Sequence, residues 1–100
     1  MVESKIQSKI ARYLKSNQIY YLIPTVCSEI GHPDIIALHH GIFLGIEVKR
    51  PGKKPTGIQK KRARDIRAGG GIAIIATSLD DVIEALKKAE AEAAALSCGS

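Results

Sequence analysis

The stretch Asp34–Lys49, DIIALHHGIFLGIEVK, decides the fold. Its apolar, β-branched runs predict strands over 34–39 and 42–49, and His40-Gly41 between them reads as a hairpin turn. A turn at that point pairs His39 with Ile42, Leu38 with Phe43 and, at the open end, Asp34 with Glu47. Directly opposed Cβ atoms lie about 4.5–5.5 Å apart, and like charges there repel. Lys49, two residues past Glu47, projects from the same face. Two carboxylates and a lysine therefore meet at one end of a hairpin whose remaining positions are mostly apolar. Either Lys49 neutralises one acid at a solvent-exposed strand end, or the pair holds a hard cation such as Mg²⁺ or Mn²⁺. A two- or four-residue loop keeps this register; a three-residue loop would send the acids to opposite faces.

Outward from the hairpin, residues 3–16 have helical spacing, with Ile6, Ile10, Tyr13 and Leu14 on one stripe. Glu3 lies mid-stripe, which suits a first-turn acid at the positive end of the helix dipole and equally a further metal ligand. Residues 19–26 predict a strand in which Pro24 marks an edge or bend. Residues 50–56 are loop. Thr56 then caps a helix of about a dozen residues that Gly69-Gly70-Gly71 ends, and Thr56-Gly-Ile-Gln59 fits a capping box. Residues 72–77 form a short, wholly apolar strand, a pattern expected where both faces are covered. Ser78 caps a last helix carrying Leu79, Val82, Ile83 and Leu86. The order α-β-β-β-α-β-α predicts an α/β fold, a mixed sheet flanked by helices in three layers.

The 100 residues suffice for one domain, with a core over about 3–87 and a C-terminal helix and tail to 100. A composition of 45% hydrophobic and 25% charged residues is that of a globular chain rather than a disordered one. No run of 18 apolar residues exists to cross a membrane, and the charged start at Glu3 and Lys5 lacks a signal-peptide core. Cys27 and Cys98 form no C-x-x-C pair, so no zinc knuckle or disulfide framework is implied. A reducing, cytoplasmic setting is expected. The net charge is +5 and uneven: nine Lys and Arg fall between Lys49 and Arg67 against Asp65 alone. So concentrated a field favours a polyanion, nucleic acid before others, over a merely solvated helix face. With three Tyr and one Phe, the chain offers little to stack single-stranded bases. His39 and His40 could ligate a metal, but adjacent strand residues point to opposite faces, so a turn and surface role is expected. His32 is assigned no role.

Gly31-His32-Pro33-Asp34, Ile46-Glu47-Val48-Lys49-Arg50-Pro51-Gly52-Lys53 and Pro55-Thr56-Gly57-Ile58-Gln59 together resemble the PD-(D/E)XK nucleases. More narrowly, they resemble the virus-type replication-repair nuclease (VRR-NUC) domain. The similarity spans about Glu3 to Leu86 and implies a restriction-endonuclease-like α-β-β-β-α-β core, of the stand-alone phage and bacterial type. It implies that Asp34, Glu47 and the main-chain carbonyl of Val48 bind Mg²⁺ or Mn²⁺, that Lys49 positions the attacking water, and that Gln59 faces the site while capping its helix. Glu3 matches the first-helix acid that can reach a metal. Arg50, Lys53, Lys54, Lys60, Lys61, Arg64 and Arg67 are then the residues expected to hold the DNA backbone. The implied activity is a metal-dependent, structure-selective DNA endonuclease, a homodimer that resolves Holliday junctions with paired nicks. The alternatives are a monomeric flap or nicking endonuclease and a non-catalytic basic DNA-binding module.

Overall fold

A computed structural model of the chain describes residues 2–25 and 30–98, so Val26 and Cys27 lie outside the described residues; of the strand expected over 19–26 only Tyr20–Leu22 forms, ending before Pro24. The elements follow in the order α1 (Glu3–Ser16), β1 (Tyr20–Leu22), β2 (Ile35–His39), β3 (Ile42–Val48), α2 (Gly57–Ala68), β4 (Ile72–Ala76) and α3 (Leu79–Cys98). The sheet is mixed, in the order β1-β2-β3-β4, antiparallel throughout except for the parallel β3–β4 pair. The register of the hairpin is the one its turn requires: His39 faces Ile42 and Ile35 faces Ile46. His40 and Gly41 both have positive φ, +54° and +80°, as a two-residue I′ turn needs.

Strand alternation divides the sheet's two faces between the helices. Leu44, Ile46 and Val48 of β3 point into a core with Ile35, with Ile6, Ile10 and Leu14 of α1, and with Val82, Leu86 and Ala89 of α3. Of the intervening residues, Gly45 and Glu47 face α2. There Gly45 is required by close approach, because a Cβ would lie 2.6 Å from the Ile66 side chain and 2.9 Å from the Pro33 ring. Gly31 combines a φ of +84° with Ile58 at 2.7 Å from its would-be Cβ. These contacts seat α2 closely on the sheet beside the Pro33-Asp34 segment.

The apolar strand at 72–77 is not covered on both faces, as its composition suggests. β4 is an edge strand, and Ile75 is 43% exposed. Ile75 pairs with Glu47 and lines the cleft under the first turns of α2, which explains its exposure. Among the described residues no helix is long and apolar enough to cross a membrane.

Candidate active site

The hairpin, α2 and the start of α1 bring Asp34, Glu47, Lys49, Gln59 and Glu3 to one end of the sheet. Asp34 stands one step past the Ile35–Ile46 pair, and its carboxyl is hydrogen-bonded with that of Glu47. Its Oδ2 accepts the Val48 amide hydrogen at 2.8 Å. A strand residue's N–H and C=O point the same way, so the Val48 carbonyl is turned towards this end of β2 as well.

Glu47 is nearly enclosed, its side chain 12% exposed. Burial first, then the charge of Asp34 and a hydrogen bond with it, raise its pKa from 4.5 to about 8; Glu3 adds to the rise and Lys49 opposes it. Lys49 is the only charged residue buried among those described, with Nζ 4.0 Å from Glu47 Oε1. It is anchored through its backbone, since Lys49 N–H donates to the Ala76 carbonyl and carries the parallel ladder one residue further.

Gln59 does two things at once. Its Oε1 accepts the Thr56 amide hydrogen at 2.8 Å while its own amide donates to Thr56 Oγ1 at 3.2 Å, completing the capping box. Its Nε2 donates to Glu47 Oε1 at 2.7 Å. The bond that caps α2 therefore also fixes the rotamer that reaches the carboxylate. Glu3, in the first turn of α1 and in line with buried Ile6, Ile10 and Leu14, accepts the Arg50 amide hydrogen at 3.4 Å. It ties the start of α1 to the chain just beyond Lys49.

A cleft of about 340 Å³ opens from Glu47 and Gln59 between α2 and the sheet. Lys60, Arg64 and Arg67, spaced along one face of α2, line it. Arg67 also donates to the Ala73 carbonyl at 2.8 Å. Lys61 turns instead to Asp65 at 3.2 Å, an exposed i,i+4 pair worth about 0.3–0.5 kcal/mol. Arg50, Lys53 and Lys54 are exposed on the loop before α2. The donors that Asp34 and Glu47 offer are carboxylate oxygens, and burial together with the charge of Asp34 raises the Glu47 pKa to about 8. That set suits a hard divalent cation, which would relieve the same repulsion.

At the other end of the hairpin His40 has the turn position expected of it, but the two histidine rings are not sent to opposite faces. His40, at positive φ, belongs to the turn, so strand alternation does not separate it from His39. The two rings meet edge to face, 4.5 Å between centroids. His39 Nε2 lies 2.8 Å from Glu90 Oε2 of α3, and this hydrogen bond holds the Glu90 carboxyl below its usual pKa. Nothing in the local sequence points to Glu90, 51 residues further on.

A mixed sheet with an α-β-β-β-α-β core, carrying acids at the end of its central hairpin, is the restriction-endonuclease-like fold. Within that class the chain has the fold of VRR-NUC domains. It superposes on a solved "VRR_NUC domain" structure with TM-score 0.73 and 18% identity, over 85% of this chain and 94% of the other. A "VRR_NUC domain protein" gives TM-score 0.74 at 22% identity, over 87% of this chain and 86% of that one. By sequence, no family model and no curated protein matches the chain.

Proposed function

We propose that the chain is a Mg²⁺-dependent DNA endonuclease that acts on branched DNA as a homodimer, resolving four-way junctions by paired nicks. The observation that carries this reading is the pairing of Asp34 and Glu47 beside buried Lys49, at the mouth of a cleft lined by cations. A module that only bound DNA would gain nothing from two acids pressed together next to the phosphates.

Asp34, Glu47 and the Val48 carbonyl would hold the ion, with Glu3 as a further oxygen. Mg²⁺, for which Mn²⁺ can substitute, supplies a Lewis acid and a water of lowered pKa. The chain's own residues do the positioning. The Val48 amide orients Asp34, and Gln59 holds Glu47 from the start of α2. Lys49 sets a fixed positive charge where negative charge develops on the phosphate and helps orient the attacking water. Lys60, Arg64, Arg67 and the exposed Arg50, Lys53 and Lys54 contact phosphates, which positions the duplex without reading its sequence.

The dimer reading draws on the sheet face that α2 leaves open. Tyr20, Leu22, Leu38 and Phe43 share that face and are 41–67% exposed, beside the free edge of β1. A second copy is the proposed occupant, because symmetric incision of two strands needs two sites related by a two-fold axis.

The test is digestion of a labelled four-way junction with Mg²⁺. Asp34→Asn and Glu47→Gln should each abolish cleavage while leaving DNA binding intact or tighter. Lys49→Ala should slow cutting by about 10²-fold or more with little change in affinity. Near-wild-type cutting by both carboxylate variants would sink the assignment.

A further inference from the structure

We propose that His39, His40 and Glu90 form a transition-metal site, suited to Zn²⁺, that staples the β2–β3 turn to α3. Each residue offers one donor atom, and the three donors lie within 4.8 Å of one another. A tetrahedral ion with bonds of about 2.0–2.1 Å needs donors about 3.3 Å apart. His39 and Glu90 are already at 2.8 Å, held by a hydrogen bond whose proton the ion would replace. His40 and Glu90 are exposed, so small side-chain rotations close the remaining gap, whereas the His39 side chain is 16% exposed and holds its place.

The donor chemistry selects the metal. Two imidazoles and one carboxylate suit zinc and its neighbours, while Mg²⁺ prefers oxygen and water. Three protein ligands leave a fourth position open to water on the exposed side. Lys87, one turn before Glu90, is drawn back towards Glu84 at 3.9 Å. The site is separate from the carboxylate pair: His39 is five residues along β2 from Asp34, about 17 Å at 3.3 Å per residue.

The experiment titrates Zn²⁺ calorimetrically into untagged, full-length protein. An Asp34→Asn background keeps the carboxylate pair from competing. Co²⁺ serves as a visible-absorption probe of tetrahedral ligation. His40→Asn is the informative variant, because Asn tolerates the left-handed φ and Asn-Gly favours the same turn. We expect one Zn²⁺ per chain and a melting temperature raised by the metal. His40→Asn and Glu90→Gln should each weaken binding by at least the roughly 10–100-fold that losing even an outer-sphere partner costs. In a chain otherwise wild type, His40→Asn should leave Mg²⁺-dependent cutting unchanged. Equal Zn²⁺ affinity in the parent and both variants, or no titratable binding at millimolar Zn²⁺, overturns the proposal. Loss of Mg²⁺-dependent cutting in folded His40→Asn protein would overturn the separateness of the two sites.

Discussion

At the scale of single residues, the site stores a repulsion that a cation can release. Glu47 is raised to about 8 by burial and by Asp34, so the metal-free folded state binds a proton that the unfolded chain sheds near 4.5. A group raised in the folded state contributes stability that is full below its unfolded pKa and is lost as pH rises through the folded value. Metal-free protein should therefore melt at progressively lower temperature between about pH 5 and pH 8. Glu47→Gln should flatten that decline, and Mg²⁺ should restore the wild-type melting temperature most at the alkaline end. Calorimetric scans across this range check it; a decline that Glu47→Gln leaves untouched would place the proton elsewhere.

Among the elements, α2 is the one on which the site depends. Its cap and its contact with Glu47 are made by one side chain, Gln59, and its depth on the sheet is set by Gly45 under Ile66 and Pro33. Gly45→Ala should force Ile66 and Pro33 outwards and cost about 1–3 kcal/mol, the usual range for overpacking. It should also slow cleavage, since lifting α2 carries Gln59 away from Glu47; urea unfolding and the junction assay measure the two effects. The faces of α2 differ as well. Lys60 and Arg64 line the cleft, whereas Lys61 is drawn to Asp65. Replacing Lys60 and Arg64 by Ala should weaken DNA binding and reduce its salt slope by about one for each phosphate no longer neutralised, and Lys61→Ala should do so far less. Equal effects from the two changes would remove the cleft from the DNA path.

At the scale of the whole molecule, the described residues of one chain offer one such carboxylate pair, and α2 covers only part of its face of the sheet. Light scattering should give twice the monomer mass, and Tyr20→Glu, at a position 67% exposed, should halve it. The monomeric variant should nick a four-way junction without paired resolution. A wild-type monomer that prefers flaps would instead favour the flap-nuclease reading.

The sequence by itself determined the element order, the limits of α1 and the register of the hairpin. The last two follow from local rules: the 3.6-residue stripe of Ile6, Ile10 and Leu14, and a tight turn at His40-Gly41, where the structure has positive φ at both residues. Register then sets Asp34 opposite Glu47, so the centre of the candidate site was legible from one turn. The capping box was legible too, but not that Gln59 also reaches Glu47, because that contact depends on how closely α2 lies on the sheet. Only the tertiary structure placed β4 at an edge with Ile75 opening onto the cleft, since an apolar composition does not specify which side is covered. Only it brought Glu90 to His39 and His40, across 51 residues of chain. Local periodicity reports which face of an element is apolar; the packing of α3 against the turn decides which distant polar groups meet.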